Sequence, residues 1–350
     1  MGGAASQNEL ARIGAAALIA ADVGGTHARL ALFDPARRGA DDFAILHYRK
    51  YACAEFRSLA AIVEQFRASV GGGDVTEIAI ALAGTVVGDA VVNENLLWPV
   101  SVSGLKQALG ASELAIVNDF EAVAHAIGHV DANDATLLCG PTQAAHGPIL
   151  IVGPGTGLGA ALRIPSAPHA LVLATEAGQA TLAPDTDYEI EIVRELRRSA
   201  PRVQIERVIS GTGLMNLYRA ISNLRGTAAV LGTPAEITAA AASGNDVIAR
   251  ETTDVFCGWL GSVLGDLALI YGAQGGIYLA GGVLPQMKDL LIASGFVSRF
   301  LDKGAMRPVL ERLPVRLIEH AQLGVIGAAS WYLDHHRARR IRDARATSRA

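Results

Sequence analysis

The stretch LIAADVGGTHARLALFD, from Leu18 to Asp34, decides the fold, because it joins two apolar runs through a short Gly/Thr turn. A second stretch of the same design, PILIVGPGTGLGAALRI, extends from Pro148 to Ile164. Apolar runs of strand length on either side of a tight glycine turn are typical of β-hairpins. The sequence therefore predicts two hairpins, one in each half of the chain, and with them a duplicated domain.

Both predicted turns have the composition of a phosphate-binding loop. Glycine permits positive φ and leaves no Cβ between the backbone and a ligand. Successive N–H groups and a Thr hydroxyl in such a turn can point at an anion. The residues concerned are Gly24, Gly25 and Thr26 in the first turn, and Gly153, Gly155, Thr156 and Gly157 in the second.

A third glycine turn and two missing signatures narrow the choice of nucleotide fold. GGIYLAGGVLP is expected to form a strand that ends at Gly281 and Gly282, where the chain could turn past a flat, uncharged group. No GxxxxGK[ST] sequence occurs, which excludes a P-loop NTPase. The GxGxGxG turn that begins at Gly153 is followed by LGAALRI, which is typical of a strand and not of the helix in a Rossmann fingerprint.

Composition indicates a folded α/β protein. Of its 350 residues, 51% are hydrophobic and 18% are charged, so the chain can bury enough apolar surface to offset its ordering entropy. One helical face is formed by Leu59, Ile62, Val63, Phe66 and Val70, ahead of the predicted strand EIAIALAG.

The net charge of −4 argues against a nucleic-acid partner. Three scattered cysteines cannot build a disulfide framework, which favours a cytoplasmic location.

No membrane segment is expected. The apolar run from Val255 to Tyr271 is interrupted by glycine and serine and is shorter than the roughly 20 residues of a spanning helix, so it predicts a helix buried in the protein. Residues 1–16 are predicted to form a disordered leader, and residues 336–350 a disordered basic tail.

Five motifs follow one another in a distinctive order: DVGGTHARLAL (Asp22 to Leu32), NDFEAVAHAI (Asn118 to Ile127), VGPGTGLG (Val152 to Gly159), ERVISGTGL (Glu206 to Leu214) and LAGGV (Leu279 to Val283). In order and spacing they resemble the bacterial ATP-dependent glucokinases of the actin/hexokinase/Hsp70 superfamily. The resemblance extends from about Leu18 to about Tyr332. It implies an α/β, two-domain actin-like ATPase (ribonuclease H-like) fold, with mixed sheets flanked by helices and a cleft between the domains.

The resemblance also implies domain boundaries and a chemistry. A small domain would comprise residues 17–128 and a C-terminal helix at about 321–335, and a large domain residues 129–320. The two domains would close over a sugar and ATP, and the enzyme would phosphorylate glucose at its 6-hydroxyl to glucose 6-phosphate. ATP and Mg²⁺ are the implied cofactors, a hexose is the implied partner, and the family suggests a homodimer.

Site residues are carried over from the family by motif. Asp119 corresponds to the base that accepts the proton of the sugar 6-hydroxyl, and Asp22 to the acidic residue near the metal. The other implied sugar-binding residues are Asn95, Glu176, Gln179 and Glu206. The implied nucleotide-binding residues are Asp22, Val23, Gly24, Gly25 and Thr26, then Gly155, Thr156 and Gly157, and finally Gly281 and Gly282 for adenosine.

The chemistry of phosphoryl transfer agrees with the assignment of Asp119. The reaction needs positioning, charge neutralisation and a base near the attacking oxygen, and Asp119 follows the apolar run LAIV, where an α/β strand would end. The alternative role is a helix N-cap in front of FEAVAHAI. Both roles can coexist.

Three departures from the family pattern fall near the sugar. Gln179 stands where the family usually has a sugar-binding His, Glu94 replaces a Thr, and Ala83-Gly84-Thr85 replaces a GP-type turn. Two alternatives to a glucokinase therefore stay open: a kinase of another hexose, and a sugar-sensing regulator with weakened turnover. An NAD-dependent oxidoreductase that uses Gly153 to Gly159 is a third.

The pair His125 and His129 has helical metal-ligand spacing but no evident third ligand, which favours an ordinary helix face.

Overall fold

The computed structural model describes residues 17–35, 45–71, 75–92, 96–130, 135–167 and 169–347, with side chains up to residue 335. The chain divides into two compact units. Unit 1 consists of Met1–Val130 and His320–Ala350, and unit 2 of Asp131–Glu319. The predicted leader, residues 1–16, lies outside the described residues.

Strands and helices alternate along the chain. The strands are β1 Leu18–Val23, β2 His27–Phe33, β3 Ile45–Ala52, β4 Glu77–Leu82, β5 Thr85–Val87, β6 Ala90–Val92, β7 Val100–Ser101, β8 Glu113–Asn118, β9 Ala135–Cys139, β10 Ile149–Pro154, β11 Leu158–Ile164, β12 Leu171–Thr175, β13 Ile277–Leu279 and β14 Val315–Ile318. The α-helices are α1 Leu59–Val70, α2 Val102–Ala108, α3 Asp119–Ala126, α4 Asp187–Leu196, α5 Gly211–Leu224, α6 Pro234–Ser243, α7 Val247–Tyr271, α8 Lys288–Ala293, α9 Phe296–Leu301, α10 Arg307–Leu310 and α11 Leu323–Thr347. Short 3₁₀ turns cover Cys53–Glu55, Ile127–His129, Ala177–Gln179, Ile205–Arg207, Leu284–Met287 and Gly304–Met306.

The main sheet of unit 1 is mixed, with the strand order β3-β2-β1-β4-β8. Strands β1 and β2 form the predicted hairpin, and β2 pairs antiparallel with β3. The other neighbours run parallel, β4 beside β1 and β8 beside β4. Because these three strands are parallel, their carboxyl ends lie at one edge of the sheet, and so do the segments that follow them.

The six-stranded sheet of unit 2 repeats this arrangement. Its order is β12-β11-β10-β13-β14-β9. Strands β10 and β11 form the second predicted hairpin, β12 pairs antiparallel with β11, and β13 and β14 continue in parallel on the other side of β10. The first five strands therefore share one order and one set of directions with the sheet of unit 1. This confirms the duplication that the two hairpin sequences predict.

Helix α1 covers one face of the unit 1 sheet, as its apolar spacing predicts. The hydroxyl of Ser58 accepts a hydrogen bond from the Ala61 N–H at the start of the helix, and Gly71 ends the helix at a φ of 66°. Phe66 is fully buried in this layer. Burial of a side chain of this size contributes about 1.5–3 kcal/mol to folding.

Helix α11 covers the opposite face of the same sheet and packs closely on α3. A Cβ at Gly327 would lie 1.8 Å from the Ala122 carbonyl oxygen, so only glycine allows this approach. The helix continues to Thr347, beyond the end expected at residue 335, and the prediction of a disordered tail is wrong for residues 336–347. The reason is local, since no glycine or proline follows Gly327 before Thr347 and the intervening residues include several strong helix formers.

Helix α7 runs through the core of unit 2. It begins at the cap residue Asp246 and ends at Gly272, so it is longer than the apolar run from Val255 to Tyr271. Among the described residues it is the one helix long and apolar enough to cross a membrane by length and composition, but 67% of its most apolar window is buried inside the protein. This burial confirms the prediction of a core helix.

The hairpin glycines do not adopt positive φ. Gly24, Gly25, Gly153, Gly155 and Gly157 do not use the positive φ that glycine permits. At Gly157 the small size of glycine is required, because a Cβ there would lie 2.8 Å from Glu206 Oε2.

Candidate active site

Asp22 lies on β1 just before the first hairpin turn. It pairs in register with Arg29 on β2, whose Nη1 is 3.4 Å from Asp22 Oδ2. Burial raises the pKa of Asp22, and the positive charge of Arg29 opposes this shift. The arrangement gives unit 1 a largely buried carboxylate with a cationic neighbour.

Cys53 donates two hydrogen bonds to carbonyl oxygens of the first hairpin turn. The Gly24 N–H donates to the His27 carbonyl oxygen at 3.0 Å and closes the turn. The Cys53 N–H donates to the Thr26 carbonyl oxygen at 2.9 Å, and the Cys53 thiol donates to the Gly24 carbonyl oxygen at 3.4 Å. Sequence reasoning missed Cys53, because no motif connects it with a turn 27 residues earlier in the chain.

Asp119 lies on the same sheet edge as this turn. Strand register aligns Val23 of β1 with Leu82 of β4, and Leu82 with Asn118 of β8. Neighbouring strands are about 4.8 Å apart, so β8 ends about 10 Å from the start of the first glycine turn. Asp119 therefore follows its strand at the edge that also carries Asp22, Val23, Gly24, Gly25 and Thr26.

The helix cap at this position is Asn118 and not Asp119. The Asn118 side chain accepts hydrogen bonds from the N–H groups of Phe120 and Glu121, at 2.9 and 3.1 Å. Its amide group donates to the Gly84 carbonyl oxygen at 3.4 Å. Asp119 is the first helical residue, and its Oδ1 accepts from the Phe120 N–H at 2.9 Å. The alternative reading of Asp119 as an N-cap is therefore wrong.

The second hairpin turn lies in unit 2, beside the start of α5 and the Gly281 turn. The Gly155 N–H donates to the Gly157 carbonyl oxygen, and the Gly211 N–H to the Gly155 carbonyl oxygen, both at 2.8 Å. Gly281 has a φ of 98°, and a Cβ there would lie 2.7 Å from the Pro154 carbonyl oxygen. The phosphate and adenosine turns expected from the sequence, the latter continuing to Gly282, are therefore neighbours in this unit.

Glu206 connects the second hairpin turn with Gln179. Its Oε2 accepts from the Leu158 N–H at 3.3 Å, and its Oε1 accepts from the Gln179 side-chain amide at 2.7 Å. A Cβ at Gly157 would lie 2.8 Å from the same Oε2, so the carboxylate can occupy this position only because residue 157 has no side chain. Glu176 begins the 3₁₀ turn that carries Gln179, and its carbonyl oxygen accepts from the Gln179 N–H at 2.9 Å.

The structure thus gathers most of the predicted residues into two groups, one in each unit. Unit 1 holds the Asp22 to Thr26 segment and Asp119, and unit 2 holds the second turn, the Gly281 turn and the three expected sugar ligands Glu176, Gln179 and Glu206. Thr156 is exposed at the tip of its turn, and Thr26 at the tip of the first. Asn95 lies outside the described residues.

The two histidines with metal-ligand spacing face α11. His125 Nδ1 is 3.9 Å from Asp334 Oδ2, and His129 Nε2 is 2.9 Å from Ser330 Oγ. In the part of the chain that the structure describes, no group of three or more His, Cys, Asp or Glu side chains could hold a metal ion.

The residues present fit a nucleotide with its magnesium ion. Mg²⁺ in such sites is held by one or two carboxylates together with phosphate oxygens and water, so a dedicated protein cage is not required. Asp22 supplies a carboxylate beside the first glycine turn. The second turn is open at Gly155, where no described heavy atom outside the flanking residues lies within 4 Å of an added Cβ.

Comparisons with known proteins agree with this geometry. A family model for glucokinase matches residues 19–335. A glucokinase-like protein of Xylella fastidiosa is 46% identical over 90% of this chain and 94% of its own length. A glucokinase of Nitrobacter hamburgensis is 39% identical over 89% of this chain and 96% of its own. The crystal structure of a glucokinase from an Antarctic psychrotroph superposes with a TM-score of 0.79 at 36% identity, over 91% of this chain and 99% of the other.

These findings confirm the α/β actin-like ATPase fold that the sequence motifs imply. The family match extends over most of the chain, and relatives above 30% identity align over nearly their whole length. The chain therefore belongs to the glucokinase family and is an ATP:hexose phosphotransferase.

Proposed function

We propose that the protein is a glucokinase that transfers the γ-phosphoryl group of ATP to the 6-hydroxyl of glucose, with Asp119 as the base. The observation that carries the proposal is the register of β1, β4 and β8, which brings Asp119 to the edge of the first glycine turn at a spacing of about 10 Å. A phosphate chain and a hydroxyl nucleophile can span that interval. Membership of the glucokinase family supports the substrate and the phosphoryl donor.

Asp119 would act as a proton acceptor. Its Oδ1 accepts a hydrogen bond from the Phe120 N–H, and this contact orients the carboxylate at the beginning of α3. An alkyl hydroxyl is a poor acid, so the carboxylate takes up the proton as the bond to phosphorus forms. The neighbouring cap, Asn118, fixes the helix start and thereby the position of Asp119.

The two glycine turns would hold the phosphates. In unit 1, Val23, Gly24, Gly25 and Thr26 offer backbone N–H groups and one hydroxyl, with Asp22 as the residue that would hold the magnesium ion. In unit 2, Gly155, Thr156 and Gly157 would do the same, and Gly281 and Gly282 would border adenosine. Magnesium bound with ATP neutralises phosphate charge during transfer.

Sugar recognition would fall to a mixture of carboxylates and amides. Carboxylates only accept hydrogen bonds, whereas amides donate and accept, and a hexose presents hydroxyls that do both. Glu176, Gln179 and Glu206 form such a mixture in unit 2, and Asn95 would complete it.

The three cysteines are all free, which supports a location in the reducing cytoplasm. The homodimer stays a prediction, which the mass of the protein in solution would test.

The decisive experiment is a coupled kinase assay over a panel of hexoses, with Asp119→Ala beside the wild type. We expect glucose 6-phosphate formation that depends on ATP and Mg²⁺, and a loss of about 10²–10⁴-fold in kcat for the variant. ATP binding by calorimetry should stay unchanged, because the glycine turns are intact. A wild-type protein that phosphorylates no hexose would refute the proposal.

Gln179 favours two further candidates, a kinase of a different hexose and a sugar-sensing regulator with weak turnover. Gln179 contacts Glu206 directly, so the family's usual His is replaced at a residue that bonds to an expected sugar ligand. The same hexose panel distinguishes these cases. A preference for another sugar indicates the first, and tight sugar binding with negligible kcat indicates the second.

A further inference from the structure

Gly324 lies against the carboxylate of Asp22, although the two residues come from opposite ends of the chain. It is the second residue of α11. A Cβ built on Gly324 would lie 2.4 Å from Asp22 Cγ and 2.6 Å from both Asp22 Cβ and Asp22 Oδ2. The carboxylate thus occupies the space that any side chain at position 324 would fill. Arg29 contacts the same carboxylate oxygen, at 3.4 Å.

We propose that Gly324 is a positioning residue for Asp22, and that the first turn of α11 seats this carboxylate beside the first glycine turn. The inference rests on the proposed function, since it takes Asp22 to be the carboxylate that faces the nucleotide and its metal.

The contact at Gly324 differs from the close helix packing at other glycines, because the atoms that a Cβ would overlap belong to a side chain. At Gly327 and Gly261 a Cβ would meet a backbone carbonyl oxygen, of Ala122 and Phe296 respectively, which is what tight packing requires. At Gly157 and at Gly324, a Cβ would come within 3.0 Å of a carboxylate. The carboxylates concerned are those of Glu206 and Asp22, and both belong to the proposed site. The same device therefore occurs once in each unit.

The expected effect of Gly324→Ala on the rate follows from the overlap between the new methyl group and the Asp22 carboxylate. Carbon atoms pack at about 3.5 Å, so an alanine at position 324 would push the Asp22 carboxylate about 1 Å from its present place. A displacement of about 1 Å in a catalytic arrangement can lower the rate about 100-fold.

The test compares Gly324→Ala with Gly258→Ala as a matched control. Gly258 is also helical, but its Cβ would have Arg299 Cγ at 3.8 Å as its nearest neighbour, an ordinary contact. We expect Gly324→Ala to lower kcat about 100-fold and to raise the Mg²⁺ concentration needed for half-maximal rate, while Gly258→Ala stays close to the wild type. An unchanged kcat and Mg²⁺ dependence in Gly324→Ala would overturn the inference.

A second measurement does not depend on activity. Urea unfolding of the wild type, Gly324→Ala, Asp22→Gly and the double variant forms a double-mutant cycle. The stability loss caused by Gly324→Ala should shrink in the Asp22→Gly background, where neither the carboxylate nor the Cβ of Asp22 meets the new methyl group. An equal loss in both backgrounds would overturn the inference.

Failure to fold is also informative. If Gly324→Ala does not fold, a folded double variant supports the inference and an unfolded one refutes it. If the wild-type enzyme phosphorylates no hexose, the proposed function fails, and the unfolding cycle still decides whether Gly324 seats Asp22.

Discussion

Replacing Gln179 by Leu removes the hydrogen bond that Gln179 donates to Glu206 and keeps a side chain of similar size. In the wild type both oxygens of the Glu206 carboxylate are held, Oε1 by Gln179 at 2.7 Å and Oε2 by the Leu158 N–H at 3.3 Å. The variant keeps only the second contact. Glu206 can then turn about its remaining bond, and its alignment with a sugar hydroxyl is lost for part of the time.

The magnitude follows from the charge and exposure of the pair. A hydrogen bond to a charged acceptor contributes about 1.5–3 kcal/mol. Gln179 is exposed and Glu206 is half-buried, so water can take the place of the amide and the lower value applies. Because about 1.4 kcal/mol corresponds to a factor of ten in an equilibrium constant, we expect the KM for glucose to rise about tenfold.

The assay is steady-state kinetics with glucose and ATP varied in turn. The KM for ATP should stay within about twofold of the wild type, because the Leu158 contact still holds Glu206 against the hairpin. Gln107→Leu, an exposed residue of α2 in the other unit, is the matched control and should leave both constants unchanged. An unchanged KM for glucose, or an equal rise for ATP, would refute the role given to Gln179.

Two further predictions concern unit 1. Cys53→Ala removes a fully buried thiol that donates a hydrogen bond to the Gly24 carbonyl oxygen. It should therefore lower the free energy of unfolding in urea by about 1–2 kcal/mol and raise the KM for ATP. The control is Cys257→Ala, which removes an equally buried thiol in unit 2; it should lower the free energy of unfolding by a similar amount and leave the KM for ATP unchanged. Burial raises the pKa of Glu121, and the hydrogen bond that Trp331 donates to its carboxylate partly offsets this shift. The ionised carboxylate therefore destabilises the folded protein at pH values above the pKa of the folded state. This destabilisation is absent below the pKa of the unfolded state, about 4.3. Glu121→Gln should therefore be more stable than the wild type at pH 8 in urea unfolding, with the difference shrinking towards pH 4; a difference that grows on acidification would contradict it.

Much of the fold could be predicted, because its signals are local. The two hairpins follow from apolar runs on either side of Gly24-Gly25 and Gly153 to Gly157, and α1 from the spacing of Leu59 to Val70. The end of α11 differs from the prediction, because a run of charged residues indicates a tail while the lack of a helix breaker lets the helix continue through it. The hairpin glycines do not adopt positive φ, and at Gly157 glycine is required for space, which a sequence pattern does not distinguish from a conformational requirement.

The candidate site could be predicted only where motifs carry it. Asp22, Asp119 and Glu206 belong to short recognisable segments, whereas Cys53 and Gly324 contact the Asp22 to Thr26 segment from distant parts of the chain. Their contacts with Gly24 and Asp22 depend on the strand order and on the return of the last helix, which no local pattern encodes. The exchange of cap roles between Asn118 and Asp119 has a different cause, because both residue types cap helices well and only backbone geometry separates them.

The return of the last helix has a consequence for biosynthesis. One face of the β1 to β4 sheet, which includes Leu18, Ala20 and Phe33, is covered by Val325, Ala329 and Tyr332 of α11. A ribosome that has completed residue 130 must add about 200 more before this cover exists, which takes about 10–40 s at 5–20 residues per second. During that interval the nascent amino-terminal half exposes an apolar surface, so a premature stop before residue 325 should yield a product that chaperones retain or proteases remove.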